Sequence, residues 1–429
     1  MTITNIISAI GNNNSIYPLL VRDCGIEVPS KIYLTYNQNA KESKEVAKLA
    51  ARERFLDEYA TSAVWLGGIP LVDKLCNMYI KKKGLNPDVN LKLFNKEDYQ
   101  GIDYNIKKFE GKVSKEIIDD LKNAKAKKGL YEKLLSGKFV AATTIPILFM
   151  GFILPKLIFA SSAKKIEAQR KKEQMAKLQK QAPAFQTLDK DVFKNLSLNN
   201  SKDVAFKGNM AATVANFTTV NKMAVTDGGY SVGRVVTARN NNERIDVAFK
   251  MSGMLFLNFV APKYIEKIFD KMSGVALDPV MLNDKELINA VKNNKLLLPE
   301  ANDAKTLLDF VDNNPNSLFV KYAQKFKKVK MLENGVRDPR AYVDVKSLAN
   351  FKKDIEDFAK KAVSSNDVTK YARNSKIGKS LCILANVGIS SALLAYVLPK
   401  AQFAFRKLVT GSDLEPGLAP AEKVLDNKA

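Results

Sequence analysis

The chain contains no histidine. That residue is the usual general base near neutral pH, the commonest metal ligand and the middle member of Ser and Cys triads, so most hydrolase and zinc-enzyme chemistries fall away. Cysteine is nearly as scarce. Cys24, Cys76 and Cys382 lie far apart with no CxxC spacing, which excludes a disulfide framework and a metal knuckle, and they are expected to be reduced, mostly buried thiols. Acidic residues are also short, 45 against 68 Lys and Arg, leaving a formal charge of +23 that favours anionic partners. Residues 1–20 lack a basic stretch ahead of an apolar one, so no cleaved secretory signal is expected.

Catalytic and cofactor motifs are missing as well. Gly378-Lys379-Ser380 resembles the end of a phosphate-binding loop, but Arg373 stands where GxxxxGK[ST] needs its first glycine, so a nucleotide site is not assigned. The carboxylate pairs Asp119-Asp120 and Glu356-Asp357 fall in lysine-rich amphipathic segments and read as solvated faces. No catalytic residue, cofactor or metal ligand is proposed from the sequence, and the expectation is a protein that is not an enzyme.

What the chain does have is apolar length. An uncharged run over residues 380–397 is bracketed by Gly378-Lys379 and Leu398-Pro399-Lys400, and a second, over 139–153, by Gly137-Lys138 and Leu154-Pro155-Lys156. A spanning helix needs about 20 apolar residues, with a lower limit near 17; the 380–399 run meets it comfortably and the 139–155 run only just. Two shorter runs, 59–72 and 251–262, suit buried or re-entrant helices. Pro146, Gly151 and Pro155 in one long run, and Asn386 and Gly388 in the other, are tolerated better in membrane helices than in water-soluble ones. Gly388 and Ala392, one turn apart, would permit close helix contact, with Asn386 donating a packing hydrogen bond.

These runs recur in collinear order. Val225, Asp227, Gly229 and Val232 match Val21, Asp23, Gly25 and Val28; Glu243-Arg244 matches Glu53-Arg54; Gly274 matches Gly84; and the two bracketed runs complete the series. The expectation is a mainly α protein with minor β, built of two related halves that each pair a short and a long apolar helix. Its divisions are an N-terminal helix and neck (1–20), a first repeat (21–165), a basic helix and linker (166–224), a second repeat (225–407) carrying an insertion of short helices (281–340), and a flexible tail (408–429). Residues 32–36 read as a short extended piece, and the cluster Gly228, Gly229 and Arg234 as a tight turn, secondarily an anion-binding one.

Lys164, Lys165, Arg170, Lys171, Lys172, Lys177 and Lys180 follow the first long run directly. A juxtamembrane lysine or arginine gains about 1 kcal/mol from an anionic surface, so these residues are the expected contact with anionic lipid. Nucleic acid ranks behind lipid, because no aromatics interleave with the basic residues to stack bases. Protein partners and self-association stay open. The sequence therefore points to a membrane-attached or membrane-inserted helical protein, basic side in the cytoplasm, with a structural, scaffolding or membrane-remodelling role. The alternatives are a soluble, basic interaction protein and a small transporter or pore. Duplicated helix pairs are a transporter-like architecture, but the charges Asp73 and Lys156 sit near segment ends rather than on a path.

Overall fold

A computed structural model describes residues 2–11, 19–95, 99–178 and 219–418. The chain is mainly α-helical, and among the described residues the only β feature is an isolated bridge between Met331 and Arg337. The extended piece expected at residues 32–36 lies inside a helix, Val28–Ala40, because the chain passes without a break from a π-helical segment, Leu19–Glu27, into that helix.

The first half begins with α1 (Ile3–Gly11), whose Ser8 donates to Asp278 at 2.8 Å. It continues through α2 (Val28–Ala40), α3 (Lys44–Ala63) and α4 (Ile69–Lys82), then α5 (Ile102–Phe109), α6 (Lys115–Ala126), α7 (Lys128–Leu148) and α8 (Leu154–Leu178). The second half comprises α9 (Thr219–Val236), α10 (Asn241–Phe259), α11 (Ala261–Ser273), four short helices α12 (Pro279–Leu282), α13 (Lys285–Lys292), α14 (Ala304–Asn313) and α15 (Leu318–Lys325), then α16 (Val345–Val363), α17 (Val368–Ala392) and α18 (Leu398–Thr410). Local chemistry sets many of the starts. Ser43 accepts from the Val46 amide, Asn240 from Glu243, Asp344 from Ser347, and Asp367 from Thr369 and Lys370, each satisfying donors that a helix leaves free at its first turn.

The prolines leave a recurrent signature. Pro29, Pro70, Pro155 and Pro399 each occupy the second position of a helix, and each follows directly on a π-helical segment: Leu19–Glu27, Val64–Gly68, Phe149–Ile153 and Leu393–Val397. Proline lacks the amide that would bond to the preceding turn, and its ring pushes that turn's carbonyl away; one extra residue in the turn absorbs both. The Leu-Pro-Lys bracket thus marks a bulge within a long helix rather than the end of one.

Two bodies of different character result. Short helices and loops from residues 85–126 and 275–363 form a short-helix body with two apolar cores, one around Leu307, Phe319, Leu348 and Phe358, the other around Ile80, Leu93, Leu121 and Tyr131. Asn105 donating to Pro339 O at 2.9 Å, Gln100 bonded to Val343, and Arg340 paired with Asp120 at 2.9 Å tie them together. From this body α4, α7, α11 and α17 lead away, and their continuations α3, α8, α10 and α18 meet again at the far end. The core between them is thin: Met150, Tyr230 and Met251, with Trp65 and Met254 partly buried beside them.

Pairing crosses between the halves. The helix α9 packs on α7 and on the Phe149–Ile153 segment, while α2 packs on the Leu393–Val397 segment and α18. Gly84, just after α4, and Gly274, just after α11, have φ of +71° and +65°, where the chain turns back as only glycine does without strain.

Two helical stretches, Lys128–Ala168 and Val368–Thr410, are long and apolar enough to cross a membrane. Their most apolar windows are only 39% and 22% buried within the chain. Leu71 and Leu75 on α4, Ile145 and Leu148 on α7, and Leu381 and Leu384 on α17 all point outward. The three cysteines are free and half-buried rather than enclosed, because the helices that carry them lie at this thinly covered surface.

Of the expected tail over residues 408–429, the described residues are 408–418. Residues 408–410 finish α18, and residues 411–418 lie across the helix ends, held by hydrogen bonds described below. The linker over residues 181–205 and Lys180 fall outside the described residues.

Candidate functional site

Where α3, α8, α9, α10 and α18 meet, the interior is charged rather than apolar. Glu53, Arg54, Asp57 and Glu58 occur at positions that share one face of α3, and that face points inward. Glu53 receives two parallel bonds from Arg239, both 3.0 Å, and the same guanidinium reaches Glu243 at 2.7 Å. The ring of Phe159 lies 4.1 Å from it, closing the guanidinium face. The two glutamates that the sequence alignment matched, Glu53 and Glu243, thus share one arginine.

A second group surrounds Glu58, which accepts from Arg54 at 3.2 Å and Lys250 at 3.4 Å and lies 3.6 Å from Lys31. Lys31 also pairs with Glu27 one turn away, and Arg54 donates to Thr35 at 3.4 Å. Burial opposes ionisation of Glu58, but Lys31, Lys250 and Arg54 outweigh it and hold its carboxyl well below the usual range. Burial and then neighbouring Arg54 push the Lys250 ammonium down to about 7, against the pull of Glu58.

The third group centres on Asp246, which accepts from Gln402 at 2.7 Å and from Arg406 at 2.9 and 3.2 Å. Arg406 also meets Glu415 at 3.1 Å. Between the groups is a cavity of ≈ 70 Å³, lined among others by Glu53, Asp57, Arg234, Lys250, Gln402 and Glu415. Charges this deeply buried are normally paired, since an isolated one costs several kcal/mol of lost hydration. Here the carboxylates are ion-paired, while Arg234 Nε and Arg406 Nη1 are buried donors, and Asp57 Oδ1 and Glu415 Oε2 buried acceptors, without a formed hydrogen bond.

Sequence-derived candidates are distributed differently. Gly228, Gly229 and Arg234 are not in a turn: all three lie within α9, where no residue has positive φ. Gly229 makes room for Ile147, and Arg234 turns inward to pair with Asp57, which rules out a loop-type anion nest. Gly388 and Ala392 are exposed, and among the described residues a Cβ at Gly388 would meet nothing within 4 Å. Asn386 accepts from Ser390 of its own helix at 3.3 Å instead of bridging helices. Close approach occurs elsewhere, at Gly151 against Gly233 and at Gly253 against Leu398. Lys164, Lys165 and Lys171 are exposed on α8, with Lys171 paired to Glu167 at 2.7 Å; Arg170, Lys172 and Lys177 occupy the same helix. Asp120 and Glu356 are bonded to Arg340 and Lys352. Among the described residues no group of acidic or cysteine side chains could hold a metal ion.

The charged centre escaped the sequence reading because alternating charges along α3 look the same whether a helix is solvated or enclosed by oppositely charged neighbours. The one usable signal was the match of Glu53 with Glu243. Comparison with protein-family models, with curated proteins and with solved structures returns no match.

Proposed function

We propose, from the geometry alone, that the chain is a membrane-embedded helical protein with a structural or scaffolding role, composed of two related halves. The observation that carries this reading is the bareness of its most apolar helices: only 22% of the best window in Val368–Thr410 is covered by the rest of the chain. The core helix of a water-soluble protein is covered on most sides, since apolar area left in water forfeits about 25 cal/mol per Å². Lipid removes that penalty. The π-helical segment ahead of Leu154-Pro155 in one half and ahead of Leu398-Pro399 in the other supports duplication. The exposed lysines Lys164, Lys165 and Lys171 would meet anionic head groups on the cytoplasmic side.

A washing experiment tests the membrane reading. Membranes from cells expressing the chain, extracted with carbonate at high pH and then with high salt, are expected to retain it; complete release into the soluble fraction would overturn the reading in favour of a soluble basic interaction protein.

The buried charges favour a second reading, transport of a small ionic solute. Ionisable groups enclosed among apolar helices are costly and tend to mark a path or a binding site. The charged centre supplies what Asp73 and Lys156, near segment ends, do not. Uptake into proteoliposomes of labelled small organic ions, with a chain-free control, tests it; equal leak in both would exclude it.

A further inference from the structure

Residues 411–418 form a strap across the charged end of the bundle. Gly411, with φ +68°, turns the chain out of α18, and its amide still bonds to Lys407 O at 2.9 Å. The strap then touches both halves. Ser412 donates to Glu42 at 2.9 Å, Gln38 to Asp413 at 2.7 Å, Asn240 to Pro416 O at 2.9 Å, and the Glu415 amide to Asn39 at 2.6 Å. Leu418 packs among Val46, Leu49, Ala50 and Ile166. Gly417 has no room for a side chain, since a Cβ there would lie 2.2 Å from the Arg239 guanidinium.

The strap delivers one charged group to the interior. The Glu415 carboxylate lines the cavity 3.1 Å from Arg406, and the same oxygen has no fully formed hydrogen bond. Arg406 is 1% exposed and keeps a free Nη1; Arg234, 8% exposed and lining the same cavity, keeps a free Nε. If Glu415 withdrew, Arg406 would retain Asp246 alone and the site would hold an excess of unused donors. A guanidinium in that state is geometrically suited to a planar carboxylate, which accepts two parallel bonds. The strap has no helix or strand of its own and is fixed by hydrogen bonds and two buried leucines, Leu414 and Leu418, so it opens at less cost than a packed helix of the bundle.

We propose that residues 411–418 are a removable lid, and that Glu415 occupies, from within the chain, the place of the carboxylate of a small solute that binds Arg406 when the lid lifts. This site stands whether lipid or water surrounds the bundle.

The test uses the full chain in detergent micelles, with acetate as the probe and sodium chloride as the ionic-strength control, read by titration calorimetry. Glu415→Gln empties the site of its internal carboxylate without removing the strap, and is expected to bind acetate about tenfold more tightly than the unaltered chain. A second variant locks the lid: Gln38→Cys with Asp413→Cys, in a background where Cys24, Cys76 and Cys382 are serine, is expected to lose acetate binding when oxidised and regain it on reduction. Glu415→Gln binding no more tightly than the unaltered chain, or the oxidised pair binding as well as the reduced one, would overturn the proposal. Inorganic phosphate bound in preference to acetate under the same conditions would overturn the assignment to carboxylates.

Discussion

Gly151 and Gly233 stand backbone to backbone, so close that a Cβ on Gly233 would sit 2.7 Å from the Gly151 Cα. No flexible side-chain end can give way there, because the opposing atoms are main chain. Gly233→Ala should therefore destabilise the bundle by about 1–3 kcal/mol, as overpacking does. Gly388→Ala, whose added methyl meets nothing within 4 Å, should leave the unfolding temperature nearly unchanged. Thermal unfolding of both variants in the same detergent checks the pair, and an equal effect at the two sites would contradict this packing.

Arg406 and Asp246 are both enclosed, and removing the Asp246 charge leaves the guanidinium with Glu415 alone. Asp246→Asn is expected to cost about 3–5 kcal/mol, the usual penalty for breaking a buried pair. Replacing both, as Asp246→Leu with Arg406→Met, should recover part of that loss, and adding Glu415→Gln should recover most of it, because Glu415 otherwise keeps its carboxylate without the Arg406 guanidinium. A double variant less stable than either single one would show that the pair is not the dominant interaction there.

Acid should loosen the short-helix body before it affects the long apolar helices. Burial works against ionisation of Asp312, but Arg337 and Lys108 more than compensate and hold its carboxyl below 3.8; Asp338 is lowered in the same way by Arg340 and Lys330. A carboxylate lowered in the folded state contributes its stability fully above its unfolded value and loses it as pH falls through the folded one. Hydrogen exchange of residues 304–325 should then be steady from about pH 7 down to about 5, once corrected for intrinsic rates, and protection should fall below about 4. Asp312→Asn should lower protection at neutral pH and flatten the acid limb; an unaltered limb would rule out Asp312 as its source.

Water-soluble maleimide can separate the two bodies. In a cysteine-free background carrying one new thiol, Leu297→Cys, exposed on the short-helix body, should label readily in intact membranes. Leu384→Cys, outward-facing on α17, should stay unlabelled until detergent is added. Equal labelling of both before detergent would argue against lipid around α17.

Apolar length and proline position carry much of the helical plan into the sequence. The bracket Leu398-Pro399-Lys400 and its counterpart Leu154-Pro155-Lys156 are visible in the chain because proline acts on its own turn, and its consequence, a π-helical segment, is local. The burial of Glu58 is not legible in that way: Lys31 and Lys250, which make it tolerable, come from other helices, one of them in the other half. Gly388 and Ala392 illustrate the converse. Small-residue spacing marks where a close approach is allowed, but whether another helix arrives depends on the fold as a whole.

The crossed pairing of α2 and α9 also bears on how the protein reaches its folded state. As the chain emerges, α2 can dock at once on α3, but the face it turns to the Leu393–Val397 segment stays uncovered until residues near the other end of the sequence have been made. Contacts so distant along the chain form slowly, because a large loop must close before they repay its entropy. The first half must therefore wait, incompletely assembled, with apolar helix faces uncovered, and a break between the halves would yield two fragments able to complete each other but unable to stand alone.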